Sequence, residues 1–153
     1  MKTRVSVLFG TRPEVIKLAP VVQALRSRPE ECECFVIASG QHREMALQTM
    51  KAFDLDADVQ LDAMASAQSL GQLTARIFAD VDAVLANNAT DWIIVQGDTT
   101  TALVGAMCAF YRRIKVGHVE AGLRTYDRFS PFPEEINRTF IGQIADLHFA
   151  PTR

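Results

Sequence analysis

The sequence predicts an α/β domain built on an open parallel sheet with helices on both faces. Two observations carry that expectation. Strand-like and helix-like segments alternate from one end of the chain to the other, with no long section of either kind. The clearest strand, WIIVQ at 92–96, is apolar over four consecutive residues, as expected when both faces of a sheet are covered. The 153 residues match the size of one domain and are enough to bury one core.

The elements follow in order. Residues 4–9 (RVSVLF) read as a strand that turns sharply through Gly10-Thr11-Arg12-Pro13 into a helix, with Pro13 suited to the first helical turn. Val15, Ile16, Leu18, Ala19, Val22 and Leu25 recur at helical spacing and carry that helix to about Arg26. Residues 34–38 (CFVIA) form a second strand closed by Ser39-Gly40, and an amphipathic helix runs from Arg43 to Phe53. A weak strand at 58–61 and a small-residue loop at 63–69 precede a long helix from Leu70 to about Asn87-Asn88. WIIVQ turns through Gly97-Asp98-Thr99-Thr100 into a helix carrying Leu103, Met107 and Phe110. A fifth strand at 116–119 leads through a long polar loop to a helix entered at Pro133 and marked by Ile136, Phe140, Ile141 and Ile144. LHFA at 147–150 is the last strand, and its His148 reads as structural. Pro151-Thr152-Arg153 then falls where another helix would begin, which suggests a domain of a longer protein.

Composition narrows the function. Hydrophobic residues make up 48% and charged residues 22%, an ordinary globular balance. A net charge of -2 and a pI near 5.9 argue against broad capture of nucleic acid or of an anionic membrane, so anion binding must be local. No apolar run approaches the ~18 residues of a membrane helix. The opening MKTRVSVLFG is too short in its apolar part for a signal peptide and is followed by Arg12 and Glu14. Cys32, Cys34 and Cys108 form no CxxC pair and read as free buried thiols in a reducing cytoplasm.

Polar residues collect at the carboxyl ends of the strands, where a parallel sheet binds ligands. The first strand delivers Thr11, Arg12 and Lys17. WIIVQ delivers Asp98 and three threonines, and the fifth strand delivers His118, Glu120, Arg124 and Glu134. The turn at Gly10–Pro13 offers free backbone amides and an arginine fork to a phosphate, or is simply a tight turn with an exposed arginine. It matches neither GxGxxG nor GxxxxGK[ST]. Asp98 serves either as a helix N-cap or as a catalytic carboxylate, and the threonines suit bonds to a sugar or phosphate. Glu120 is placed to have its acidity tuned by shielding, or to pair with Arg124. Glu134 sits at a helix start whose dipole favours its charge, and Glu135 is placed for the same part. Carboxylates in differing environments run acid and base chemistry together. They lack the spacing of a defined metal loop, so no metal is expected. His42 either touches a ligand or is solvated.

Four segments carry a resemblance to a known family: GTRPEVIKLAP (10–20), GQHREM (40–45), QGDTTTAL (96–103) and GHVEAGLRT with SPFPEEINR (117–138). In order and at family-like spacing, they resemble the bacterial non-hydrolysing UDP-N-acetylglucosamine 2-epimerases. The likeness runs over nearly the whole chain. It implies a Rossmann-like domain, one half of a GT-B-like two-domain fold, with residues 1–153 as the N-terminal domain and the C-terminal domain outside this chain. It implies interconversion of UDP-N-acetylglucosamine and UDP-N-acetylmannosamine, in which UDP is eliminated to an unsaturated glycal and added back to the inverted sugar. By motif, Asp98, Glu120 and Glu134 match catalytic carboxylates, with Asp98 and Glu134 expected to move protons and Glu120 to assist. Arg12, Lys17, Thr99 and Arg124 are expected on the substrate side. Gln41 and His42 match a region that contacts a second, regulatory UDP-N-acetylglucosamine. The resemblance further implies a cytoplasmic homodimer without cofactor, serving cell-surface polysaccharide biosynthesis, and an isolated chain that is inactive alone. Phe132 stands where many members carry Trp. Two other readings share the fold: a GT-B glycosyltransferase domain, against which a base and acid paired at carbon 2 argue, and a non-catalytic nucleotide-sugar binding domain.

Overall fold

In the computed structural model, which describes residues 1–41 and 43–152, the elements alternate as expected. They are β1 (Thr3–Phe9), α1 (Arg12–Arg26), β2 (Cys32–Ala38), α2 (Arg43–Ala52), β3 (Val59–Gln60), α3 (Leu70–Asn87), β4 (Trp92–Gln96), α4 (Thr100–Tyr111), β5 (Lys115–Val119), α5 (Glu134–Ile144) and β6 (Leu147–Phe149). The six strands form one sheet in the order β3-β2-β1-β4-β5-β6, and every neighbouring pair is parallel. This is the doubly wound order, whose switch point lies between β1 and β4.

Strand alternation splits the core into two layers. Val5, Val7 and Phe9 of β1 pack with Val15, Leu18 and Val22 of α1 and Met50 of α2. Leu8 of the same strand faces the opposite way, among Ile77 of α3, Val104 of α4 and Ile141 of α5. Gly105 lets α4 lie directly on the sheet, because a Cβ there would run into Leu8 and come within 3.1 Å of Val95 Cγ1.

Register is fixed by one repeated device. Asp58, Asp91 and Asp146 each stand just before a strand and accept the amide of a residue on the neighbouring strand. The contacts are Val36 N–H to Asp58 at 2.7 Å, Arg4 N–H to Asp91 at 2.8 Å and Val116 N–H to Asp146 at 2.8 Å. Each aspartate also returns its own amide to the carbonyl of the same partner. A one-residue slip would break every such pair, so the strand ends that build the site are held level.

Two details depart from the sequence reading. β2 begins at Cys32 because Cys32 and Glu33 pair with Thr3 and Arg4 of β1. β6 is an edge strand on which Leu147, His148 and Phe149 are all exposed, so the His148 side chain, read as structural, faces outward rather than into the core. The three cysteines are free. Cys108 is buried while Cys32 and Cys34 are only half-buried, and burial raises the Cys34 and Cys108 thiols to about 11 and about 12. No helix among the described residues is long and apolar enough to cross a membrane.

Candidate active site

The loops after β1, β4 and β5 meet at one edge of the sheet, and hydrogen bonds join them. Glu14 ties the first two. It is fully buried at the third position of α1, and its Oε2 accepts from Gly10 N–H (3.0 Å), Thr11 N–H (2.7 Å) and the Thr11 hydroxyl (2.8 Å). Its Oε1 accepts from the Thr99 hydroxyl at 2.7 Å. Burial pushes this carboxyl above its ordinary range, and the four donors only partly offset that.

This corrects the expectation of free amides at Gly10–Pro13. The amides of Gly10 and Thr11 are taken by Glu14, and Pro13 has none to offer. Arg12 is exposed and makes no ion pair with a described residue, so its side chain and its own amide are what this turn leaves for a phosphate.

The threonines are also committed within the chain. Thr99, not Asp98, is the N-cap of α4; its hydroxyl accepts from Ala102 N–H at 3.0 Å while donating to Glu14. Little of it is left for the substrate contact expected of Thr99. Thr101 is buried, 2.8 Å from the Ser39 hydroxyl, and donates to the Gln41 side chain at 2.8 Å. Gln41 is therefore tied to the start of α4; His42 lies outside the described residues.

Relieved of capping, Asp98 turns toward α5. Arg138 Nη2 donates to Asp98 Oδ2 at 2.6 Å, and Asn137 Nδ2 donates to the Asp98 carbonyl at 2.9 Å. Glu120, at the end of β5, adopts a left-handed backbone with φ 61°, unusual for a residue with a Cβ and held only where its surroundings enforce it. Lys17 pairs with Glu120 Oε1, Gln96 Nε2 donates to Oε2 at 2.6 Å, and Arg138 donates to the Glu120 carbonyl while lying 3.7 Å from Oε2. Gly97 lines the other side of this contact: with φ 70°, its missing Cβ would stand 3.5 Å from Glu120 Oε2.

The pair with Arg124, the alternative reading of Glu120, does not form, because Glu135 takes that arginine. Glu135 accepts from Arg124 at 2.7 Å and from the Thr125 and Tyr126 amides at 2.9 and 3.3 Å. These donors hold its carboxyl down at about 2. Glu135 is thus a fixed anion that folds the 123–133 loop, not a second candidate for proton transfer. Arg124 in turn is largely spent on Glu135 and on the Tyr126 ring, 4.9 Å away. Glu134, one residue earlier, is half-buried at the helix start, and its carboxylate makes no hydrogen bond or ion pair with a described residue.

His118 supports this edge from beneath. It is fully buried, and its Nε2 lies 2.7 Å from the Gly97 carbonyl. A carbonyl only accepts, so the proton sits on Nε2. Nδ1 is buried without a partner, and burial lowers the imidazole's basicity, so the ring is neutral.

The structure therefore brings Asp98, Glu120 and Lys17 together. Arg12, Glu134 and Arg124 stand on the same edge without joining that cluster. Sequence reasoning overlooked Arg138, Gln96, Asn137 and Glu14. Each had a signal: Arg138 stands four residues after Glu134 on one helix, Gln96 is a polar end to an apolar strand, and Thr11-x-x-Glu14 is a capping-box spacing.

Residues 23–153 match the family model described as UDP-N-acetylglucosamine 2-epimerase. The chain belongs to the UDP-N-acetylglucosamine 2-epimerase family. Among members, the UDP-N-acetylglucosamine 2-epimerase of Bacillus subtilis is 47% identical over 151 residues, covering 99% of this chain and 40% of that protein. A putative 2-epimerase from Listeria monocytogenes superposes with a TM-score of 0.96 at 46% identity, over 100% of this chain and 40% of that one. The Neisseria meningitidis epimerase, solved bound to UDP-GlcNAc, gives a TM-score of 0.94 at 43% identity, over 98% of this chain and 40% of that one. This epimerase-family chain thus spans about 40% of the length of the relatives it matches.

Proposed function

We propose that this chain is the N-terminal domain of a longer, non-hydrolysing UDP-N-acetylglucosamine 2-epimerase and forms one wall of its cleft. The supporting observation is the convergence of three chemically unequal carboxylates on one sheet edge. Glu120 has both oxygens engaged, by Lys17 and by Gln96. Asp98 has Oδ2 bound to Arg138, and its Oδ1 makes no hydrogen bond to a described residue. The Glu134 carboxylate has no partner among the described residues.

The chemistry needs such inequality. The hydrogen on carbon 2 is too weakly acidic for simple removal and return. A base takes that proton while the carbon 1–oxygen bond breaks and its electron pair leaves with UDP, giving a glycal. UDP then adds back to carbon 1 as an acid delivers a proton to the opposite face of carbon 2. Asp98 and Glu134 are the groups left able to move those protons, and Glu120, with both oxygens engaged, organises the site. Arg12 and Lys17 supply positive charge for the diphosphate. The loop bearing Gln41 and His42 is the proposed second nucleotide-sugar contact, linked to α4 through Thr101. A cytoplasmic homodimer acting in cell-surface polysaccharide synthesis completes the reading.

The test is product analysis with the longer protein. UDP-N-acetylglucosamine should convert to its 2-epimer with no nucleotide consumed, and Asp98→Asn should abolish conversion. Stoichiometric release of UDP and N-acetylmannosamine, or full activity in Asp98→Asn, would defeat the proposal.

A further inference from the structure

We propose that Arg138 is the positioning residue of this site: it yokes Asp98 and Glu120 into one rigid unit and leaves Asp98 Oδ1 as that unit's working atom. The role in turnover rests on the epimerase reading above; the yoke itself does not.

The two carboxylates come from different elements, Asp98 from the β4–α4 turn and Glu120 from the end of β5. Among the described residues, Arg138 is the side chain bonded to both. One nitrogen, Nη2, lies 2.6 Å from Asp98 Oδ2 and 3.7 Å from Glu120 Oε2; the other, Nη1, donates to the Glu120 carbonyl. That carbonyl belongs to the residue with φ 61°, so the guanidinium holds the strained backbone as well as the charge. The next residue along the helix, Asn137, fixes the Asp98 carbonyl at 2.9 Å, so α5 grips both the main chain and the side chain of Asp98.

Only 7% of the Arg138 side chain is exposed, against 29% for Asp98 and 23% for Glu120. The cation is therefore inside and the carboxylates face the cleft, the order expected of a support rather than a substrate clamp. A planar fork suits this geometry. Lysine, with one ammonium on a flexible stem, cannot reach both carboxylates and the carbonyl together. Glu134 stands one helical turn before Arg138 on α5. The same helix thus sets the distance between the freely available carboxylate and the yoked pair.

Two measurements test the yoke. In the 153-residue chain, a double-mutant cycle on the folding equilibrium pairs Arg138→Met with Asp98→Asn, and a second cycle uses Arg138→Lys in case the methionine variant does not fold. Coupling of about tenfold or more is expected; coupling below about twofold in the folded cycle overturns the proposal. In the longer protein, Arg138→Met should lower kcat by about 100-fold with KM changed less than about threefold, and Arg138→Lys should recover part of the loss. A purely structural arginine would reduce the folded fraction and leave kcat per folded molecule intact, and that result overturns the positioning role. The coupling needs no turnover, so a wild-type protein with strong coupling and no epimerisation would locate the failure in the epimerase reading.

Discussion

Removing Glu14 tests whether the site edge is held from below. This carboxylate has no exposed surface and accepts four bonds: two amides and a hydroxyl on one oxygen, the Thr99 hydroxyl on the other. Glu14→Ala strands the Gly10 and Thr11 amides in a buried place. At about 1–3 kcal/mol per stranded donor, with the hydroxyls free to rotate elsewhere, the loss comes to about 2–6 kcal/mol. Glu14→Gln keeps the oxygen that faces the amides but turns the other contact around. Its amide would donate to Thr99, which already accepts from Ala102, and the Thr99 proton would lose its acceptor. That variant should lose only about 1–2 kcal/mol. Urea unfolding of the 153-residue chain, followed by circular dichroism with the slope held constant, resolves the two. The pH dependence adds a sign. Burial raises the Glu14 carboxyl above its ordinary 4.5, so the stability it confers is full below that value and is lost as pH rises through the folded one. The gap between wild type and Glu14→Gln should therefore narrow as pH climbs upward from about 4.5. An alanine variant within about 1 kcal/mol of wild type, or one equal to the glutamine variant, would refute the reasoning.

Other expectations follow from the same structure. Burial depresses the His118 imidazole, so its stabilising effect is present above about 6.5 and is lost as pH falls through the folded value; His118→Gln should flatten that limb of the urea midpoint between about pH 7 and 5. The donors around Glu135 hold it at about 2, so its contribution is present above 4.5 and fades as pH falls toward 2; Glu135→Gln should speed proteolytic cutting within residues 123–133 at neutral pH, as read by mass spectrometry. Gly105→Ala should cost about 1–3 kcal/mol by calorimetry, because its methyl would collide with Leu8.

Much of the fold was legible because periodicity is a local property. Apolar spacing placed α1 and α3 and the core of β4 close to their observed limits, and strand–helix alternation implied the parallel sheet. What escaped depends on partners distant in sequence. That Thr99 caps α4 and so frees Asp98 is decided by the bond from Ala102 and by Glu14, 85 positions away from Thr99. That Glu120 pairs with Lys17 rather than with nearby Arg124 depends on a contact spanning 103 positions. His148 read as structural because its strand is apolar, but its exposure follows from position at the sheet edge, which no local pattern reveals. The family motifs pointed to Asp98, Glu120 and Glu134 as a set. The resemblance already implied that Glu120 assists the other two; which atoms of each are engaged, both oxygens of Glu120 and one of Asp98, came only from the geometry.

The most direct measurement is proton exchange at carbon 2. The longer protein would be incubated with UDP-N-acetylglucosamine in deuterium oxide, and the sugar followed by proton nuclear magnetic resonance. The account predicts deuterium at carbon 2 of the 2-epimer, with both epimer formation and exchange lost in Asp98→Asn and Glu134→Gln. A 2-epimer that retains its original carbon 2 hydrogen, or exchange that persists undiminished in both variants, would contradict it.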